Sequence, residues 1–530
     1  MPSLTGANSA GMARVLITVH GRVQGVGFRP FVYRLATELG IDGEVSNTGG
    51  HVLITAAGPA AVLAKFTTLL TERAPLHARI DRVTVTEEPA AVTRAGFVVA
   101  DSQAGAAVDA GTPADLATCA TCVRELFDPA DRRYRYPFIT CTDCGPRATI
   151  IDALPYDRVR TAMRGFPLCR ECAAEYHDPA DRRFHAEPIA CPRCGPRLTW
   201  YPTGVVGPDA VAAAVRAIAA GGIVAVKGIG GYQLVCDAGA EAAVAWLRAS
   251  KHRPAKPFAV MVPDLDTLTE LCTVDEPTMR SLRSAAAPIV LVPRRPDPRL
   301  AESVAPGLPE VGVFLPYSPL HHLLLTELAR PLVVTSGNRA DEPIAIDDDT
   351  ARETLGPITD GILGHDRPIR ARYDDSVLRV LNGRPAIVRR ARGYAPEPVP
   401  LPYAAPEPVL AVGAQLKHTT TLAVEDRAFV GPHTGDLENT ATFDAFTDVV
   451  DRLSRWSGGT PAVCAHDLHP GYLSTQYAHR WPATRRIPVQ HHHAHVAATA
   501  AEHGVRGPFI GIAYDGLGMG DDGTFWGGEI

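Results

Sequence analysis

Eight cysteines between residues 119 and 194 constrain this chain more than any other feature. They fall as four C-x-x-C pairs: Cys119 and Cys122, Cys141 and Cys144, Cys169 and Cys172, Cys191 and Cys194. Eighteen residues separate the two pairs of each half, and 24 separate the halves. The stretches between cysteines repeat as well, with FDPADRRYRYPFITCTDCGPR in the first half and HDPADRRFHAEPIACPRCGPR in the second. Such a repeat matches two tetrahedral, four-thiolate zinc sites. Thiolates are soft anions, and four of them close the coordination shell, so both metals are expected to be structural. The spacing leaves open whether each repeat holds its own ion or the pairs interleave across repeats. Disulfides or redox C-x-x-C pairs are the alternative, and the regularity of the repeat argues against them. The block is mostly polar between its cysteines, so the metals are expected to supply much of its folding energy.

The chain has 530 residues, and about 150 residues per domain implies three or four domains. A net charge of −6 argues against a chain-wide nucleic-acid binder. The cysteine block, 113–200, is nearly balanced, with 13 arginines and 12 acidic residues. The N-terminal stretch shows no basic segment followed by an apolar one, and no apolar run is long enough to span a bilayer. Reduced thiols without an export signal point to the cytoplasm and to no membrane partner.

Over 13–100, apolar patterning reads as strand, helix, hairpin, helix and further strands, the β-α-β-β-α-β order of a split sandwich. The loop from Gly21 to Arg29 carries three glycines ahead of a helix. Backbone N–H groups can approach an anion closely there, and the helix N-terminus adds partial positive charge. Arg29 offers a planar, bidentate donor at the mouth. A plain turn is the alternative for the loop, and a turn residue is the alternative for Asn47. The stretch GRVQGVGFRPFVYRLATELGIDGEVSNTGGHV resembles the acylphosphatase family throughout. That resemblance implies a ferredoxin-like sandwich in which Arg29 binds the phosphate of an acyl phosphate and Asn47 orients the attacking water.

Residues 101–118 are rich in Ala, Gly and Asp and read as a linker. YPTGVVGP, starting at Tyr201, reads as a second short connection. From 203 to 395 helical and strand patterns alternate, giving an α/β domain. Basic and small polar residues fall at its strand ends: Lys227, Lys251, Arg253, Ser336 and Asn338. Strand-end loops are where α/β folds place ligands, and these groups suit a triphosphate. A solvated basic face with an ordinary turn is the alternative. KGIGGYQLVCDA, ASKHRPAKPFAVMV, GVFLPYSPLHHLLL and VVTSGNRADEPI resemble the YrdC-like, threonylcarbamoyl-AMP-synthase-like domains that form adenylates. The K-x-R and S-x-N pairs of that family match Lys251/Arg253 and Ser336/Asn338. In IRARYDDSVLRV, Arg372 and Asp374 are further candidates.

A Pro-rich stretch marks a boundary before the last part, 408–530. There VQHHHAHVAATAAEHG places His491 and His495 four apart on an Ala-rich helix, which aims both imidazoles to one side. Asp515 follows a buried strand pattern and can complete a metal site; adventitious metal binding by a His-rich tract is the alternative. These segments resemble the carbamoyl-transfer domain of the actin-like, sugar-kinase-like superfamily.

The order of parts resembles the HypF family, the carbamoyltransferases of [NiFe]-hydrogenase maturation. The fold class expected is therefore multidomain α/β and α+β. It comprises an acylphosphatase sandwich, two four-cysteine fingers, a YrdC-like domain, and the first half of an actin/sugar-kinase-like domain. The resemblance implies two structural zinc ions, ATP with Mg as substrate, and one further metal, zinc or iron, at His491, His495 and Asp515. It implies carbamoyl phosphate as the carbamoyl source and a HypE-type maturation protein, with a C-terminal cysteine, as acceptor. Measured against the family, the second half of the last domain is expected to be missing, which bears on the final transfer. A tRNA-modifying or RNA-binding protein is the competing class, against which the acidic balance and the acylphosphatase-like part both weigh.

Overall fold

The computed structural model describes residues 12–89, 95–102, 112–456 and 459–530. The chain packs as two compact units. One is Met1–Pro113 with Thr140–Asp143 and Asp152–Ile189; the other is Ala114–Ile139 with Cys144–Ile151 and Ala190–Ile530.

The first unit is built on a five-stranded sheet. In chain order its elements are β1 (Met12–Arg22), α1 (Phe28–Glu38), β2 (Asp42–Asn47), β3 (Val52–Pro59), α2 (Ala60–Glu72), β4 (Arg79–Glu88) and β5 (Phe97–Val99). The strands lie in the order β4-β1-β3-β2-β5. Alternation decides which face is covered: Val15, Ile17 and Val19 of β1 are buried, and Ile17 pairs with Ile54 of β3. The helices answer with apolar residues at helical spacing, Val32, Leu35 and Ala36 from α1, and Leu63, Phe66 and Leu70 from α2. Truncating the fully buried Phe66 to Ala would cost about 3–5 kcal/mol. This is the expected split sandwich, with AGFVVAD forming the short β5.

The cysteine repeats share one backbone design. Helices α3 (Ala120–Phe127) and α4 (Arg170–His177) each start one residue after the first cysteine of their repeat. In the shared DPADRR segment, Asp128 and Asp178 accept from the N–H of Ala130 and Ala180 at 2.9 Å. Asp131 and Asp181 accept from the N–H of Arg133 and Arg183 at 2.7 Å. Arg135 and His185, at equivalent positions, both take left-handed backbone (φ 57° and 53°). The two buried arginines make a reciprocal exchange. Arg133 Nε donates to the Ala190 carbonyl at 2.8 Å, and Arg183 Nε donates to the Thr140 carbonyl at 3.1 Å. Each acceptor immediately precedes a cysteine of the other repeat. The block thus has internal polar support that its composition does not suggest. The end of the expected linker is also built in: Asp115 is buried and accepts from the N–H of Arg147 at 2.5 Å and the hydroxyl of Thr149 at 3.0 Å.

In the second unit an eleven-stranded mixed sheet follows. Its strands are β6 (Leu198–Tyr201), β7 (Val205–Val206), β8 (Val224–Lys227), β9 (Tyr232–Asp237), β10 (Ala259–Met261), β11 (Ile289–Pro293), β12 (Glu310–Phe314), β13 (Leu332–Ser336), β14 (Gly361–His365), β15 (Val377–Leu381) and β16 (Arg384–Arg389). Their order is β16-β15-β11-β12-β10-β13-β9-β8-β14-β6-β7. YPTGVVGP is the turn and second strand of the β6–β7 hairpin rather than a free connection. Covering helices are α5 (Pro208–Ala219), α6 (Glu241–Ser250), α7 (Leu265–Leu271), α8 (Glu276–Leu282), α9 (Pro319–Leu328) and α10 (Asp348–Leu355). The strand centres are buried on both faces, which is why they read as continuous apolar runs such as IVAV and LVVT.

A four-stranded sheet, β18-β17-β19-β20, organises the last part. Its elements are β17 (Pro398–Ala411), β18 (Thr421–Val430), α11 (Thr440–Trp456), β19 (Val463–Asp467), α12 (Leu473–Arg480), β20 (Arg485–Val489) and α13 (His491–Glu502). The Pro-rich boundary stretch enters β17, whose pairing with β18 slips twice between Pro400 and Val409. Among the described residues no helix is long and apolar enough to cross a membrane.

Candidate functional sites

Arg29 stands in the first turn of α1, behind a loop in which Gly27 caps the helix at φ 75°. Asn47 ends β2 and is fully buried. With its amide oxygen turned toward Arg29, Asn47 accepts from Nε at 3.1 Å and Nη2 at 3.2 Å. Gln24 spans the loop, donating to the carbonyl of Thr48 at 2.9 Å. The structure therefore brings the two expected residues together. It adds groups that the sequence reading missed. Arg29 Nη2 donates to Glu187 Oε1 at 2.8 Å, and Nη1 to Asp157 Oδ1 at 3.2 Å and Ser102 Oγ at 3.4 Å. Glu187 Oε2 in turn accepts from Tyr176 Oη and the Arg158 N–H, both at 2.8 Å. Burial pushes the Glu187 carboxyl up, opposed by Arg29 and Tyr176. Burial and then Arg29 bring the nearby His185 down to about 3, so it is neutral beside the guanidinium.

The cysteines form two sets, one per repeat. The Sγ atoms of Cys119, Cys122, Cys141 and Cys144 lie within 4.8 Å of one another, as do those of Cys169, Cys172, Cys191 and Cys194. Sulfur separations of 3.6 Å (Cys122 to Cys144) and 3.8 Å (Cys191 to Cys194) are far longer than the ~2.05 Å of a disulfide. A tetrahedron with bonds of about 2.3 Å to sulfur has edges of about 3.8 Å, so each set fits one zinc ion. This settles the pairing that the spacing left open: each repeat is self-contained.

In the mixed sheet, Lys251, Arg253, Ser336 and Asn338 line one cavity of about 710 Å³. A second, of about 240 Å³, shares Arg253, Ser336 and Asp374 with it. Lys251 Nζ donates to the Ser336 carbonyl (2.7 Å), the Asn338 carbonyl (2.7 Å) and Asn338 Oδ1 (2.9 Å). It thus braces the Ser336–Gly337–Asn338 turn through three contacts. Burial and then Arg253 bring its ammonium down to about 7. Burial alone would raise Asp374, but His433 and Arg389 outweigh it and hold the carboxyl at about 2. Lys256, Arg389, Lys417 and His433 also line the larger cavity. The clue to Lys256 was its place in KHRPAKPF. Lys227 and Arg372 stand apart from both cavities. Lys227 is buried, with Nζ on Asp348 Oδ1 at 2.5 Å and the His365 carbonyl at 2.9 Å. Arg372 pairs at the surface with Asp448 at 3.4 Å.

His491, His495 and Asp515 converge in the last part. Asp515 Oδ2 lies 2.7 Å from His491 Nε2 and 3.5 Å from His495 Nε2. The other ring nitrogen of His491 meets Asp467 Oδ2 at 2.6 Å. A carboxylate behind a histidine fixes its tautomer and turns Nε2 toward a metal, so this donor set fits a divalent ion. Asp467 ends β19, in the VCAHD segment that precedes the His tract.

Comparison with known proteins agrees with this layout. The acylphosphatase family model matches residues 15–99, and the HypF finger model matches 118–151 and 168–201. The Sua5/yciO/yrdC model, described as telomere recombination, matches 216–391, and the HypF Kae1-like model matches 404–502. Carbamoyltransferase HypF of Synechocystis sp. is 50% identical over 526 residues, 97% of this chain and 68% of that protein. Probable carbamoyltransferase HypF of Methanocaldococcus jannaschii is 38% identical over 529 residues, 98% of this chain and 68% of that protein. The crystal structure of full-length HypF in the phosphate- and nucleotide-bound form superposes with a TM-score of 0.95 at 43% identity, covering 98% of this chain and 68% of that one. HypF from T. kodakarensis gives 0.91 at 38% identity, over 97% and 67%.

Proposed function

The chain belongs to the HypF carbamoyltransferase family, and from that premise we propose a three-step relay run by its own residues. Carbamoyl phosphate binds in the Gly21–Arg29 loop, with Arg29 on its phosphate and Asn47 orienting water. Water attacks phosphorus, the P–O bond to the carbamoyl group breaks, and carbamate and phosphate are released. In the second step a carbamate oxygen attacks the α-phosphorus of Mg-ATP, pyrophosphate leaves, and carbamoyl adenylate forms. Lys251, Arg253, Ser336 and Asn338 hold the nucleotide, and Lys227 and Arg372 are outer candidates. In the third, the sulfur of the C-terminal cysteine of a HypE-type partner attacks the carbamoyl carbon, and AMP leaves. Loss of water from that S-carbamoyl group on the partner gives a thiocyanate, R–S–C≡N, whose C≡N group is the source of the cyanide ligand of the hydrogenase iron.

The steps are assigned to 13–100, 203–395 and 408–530, with 113–200 as metal-stabilised support. Two structural zinc ions sit in the cysteine sets. A third ion, zinc or iron, held by His491, His495 and Asp515, would supply positive charge for the adenylate phosphate. The reduced thiolates fit a cytoplasmic protein.

The observation that carries this reading is the presence in one chain of the Arg29–Asn47 pair and the cation-lined cavity around Ser336–Asn338. Carbamate decays quickly in water, so making it and activating it within one molecule limits its loss. The test is production of AMP and pyrophosphate from ATP with and without carbamoyl phosphate. Carbamoyl-phosphate-dependent cleavage to AMP supports the relay through its second step. Cleavage to AMP that ignores carbamoyl phosphate refutes it.

A further inference from the structure

The two cysteine repeats are close copies, and the places where they part are informative. Tyr176 stands where the first repeat has Leu126, and Glu187 stands where it has Pro137. Where one copy has an apolar residue and a proline, the other has a phenol and a carboxylate. Those two side chains meet, Tyr176 Oη on Glu187 Oε2 at 2.8 Å, and the other oxygen of Glu187 meets Arg29 Nη2 at 2.8 Å. The departure from the repeat is therefore aimed at the acyl-phosphate site.

We propose that Glu187 is the positioning residue of Arg29, so that the second cysteine repeat completes the acyl-phosphate site. The proposal rests on the acyl-phosphate reading of Arg29 and Asn47. Two carboxylates touch the guanidinium, and their settings differ. The Glu187 side chain is 1% exposed. One oxygen takes Arg29, and the other takes Tyr176 and the Arg158 N–H, so rotating it away would break three hydrogen bonds at once. Asp157 is 21% exposed, sits farther from Arg29 at 3.2 Å, and has Ser102 as a second donor at 2.8 Å. A phosphate can take the place of Asp157 without stranding a buried charge. Glu187 stays, fixing the plane of the guanidinium from behind while Nη1 is left to meet the substrate. Displacing a guanidinium by an ångström at the reacting group is enough to lower turnover strongly.

The test measures phosphate release from carbamoyl phosphate and acetyl phosphate by the full chain and by Glu187→Gln, Tyr176→Phe and Arg29→Ala. Inorganic phosphate serves as competitive inhibitor. Glu187→Gln is expected to lower kcat about tenfold while KM and the phosphate inhibition constant stay within about threefold. Tyr176→Phe is expected to lower kcat in the same direction by a smaller factor. A kcat loss below about twofold in both variants overturns the proposal. So does tighter phosphate inhibition with kcat kept, which would make Glu187 a competitor for Arg29 rather than its support. If Glu187→Gln fails to retain metal, Tyr176→Phe decides alone, since it removes a single hydroxyl. An inactive parent would refute the acyl-phosphate reading itself. An active parent with inactive Arg29→Ala and unchanged Glu187→Gln and Tyr176→Phe would refute only the present proposal.

Discussion

Arg29→Ala should cost stability as well as chemistry, and the surroundings of Arg29 set how much. The Arg29 side chain is 8% exposed and that of Glu187 is 1%. Without the guanidinium, a buried carboxylate keeps only the Tyr176 hydroxyl and the Arg158 N–H as donors. Breaking a buried pair in this way costs about 3–5 kcal/mol. Adding Glu187→Gln removes the stranded charge, so the double variant should recover on the order of 2 kcal/mol. All five tryptophans lie at 200 or beyond, so their fluorescence does not report on this unit. Amide hydrogen exchange in peptides covering α1 and β2 does. At about 1.36 kcal/mol per tenfold, exchange in Arg29→Ala should be roughly 100-fold faster or more, and the double variant should regain roughly 30-fold. The pH dependence has a definite sign. Burial already raises the Glu187 carboxyl, and losing Arg29 raises it further. The folded state then binds a proton that the unfolded state does not, so its stability rises as pH falls toward the ordinary value of about 4.3. The gap between single and double variants should therefore narrow from about pH 8 to about pH 5.5. Equal exchange in the two variants at both pH values would refute the charge pairing.

Three further outcomes are expected. Lys251, brought down to about 7, should take up a proton when nucleotide binds at pH 8; calorimetry in buffers of different ionisation enthalpy reads this, and Lys251→Ala should abolish both the uptake and AMP formation while sparing phosphate release. Asp467→Asn should weaken metal binding at His491, His495 and Asp515 by about 10–100-fold in a chelator competition, since it removes the carboxylate behind His491. Burial holds His185 and His321 at about 3 and His322 and His418 at about 4, so they are neutral in the fold and charged in the unfolded chain below about 6.5. Stability should accordingly be full above that value and fall as pH drops toward 3–4, with more than one proton taken up on unfolding, measured as melting temperature against pH.

Much of this was legible in the sequence because it is written in local patterns. Cysteine spacing announced two four-thiolate sets, and period-two and helical alternation gave the split sandwich. The i, i+4 histidines announced their shared face. Arg29 with Asn47, and Lys251 with Ser336 and Asn338, are legible only through resemblance to known families, since spacing alone does not bring residues 18 or 85 positions apart together. What escaped was set by tertiary packing. Nothing near Glu187 says that its carboxylate reaches Arg29, 158 residues away, although the mismatch with Pro137 was visible in the repeat. The supposed linker hid Asp115, whose burial depends on Arg147 and Thr149. Lys227 matched a strand-end position, yet Asp348 and His365 claim its ammonium from elements more than 120 residues later.

The exchanged arginines have a consequence for how the chain is made. Arg133 is buried in the finished protein, but its carbonyl partner, Ala190, lies 57 residues downstream. At roughly 5–20 residues per second a ribosome needs about 3–11 s to deliver that partner. For most of this interval, from the synthesis of Cys144 onward, the first repeat has all four of its cysteines in hand but lacks the Ala190 carbonyl that Arg133 Nε meets in the finished fold. Metal loading and final closure are therefore separate events in time: an ion can enter the first thiolate set early, while the surrounding shell sets only after the second copy has left the exit tunnel.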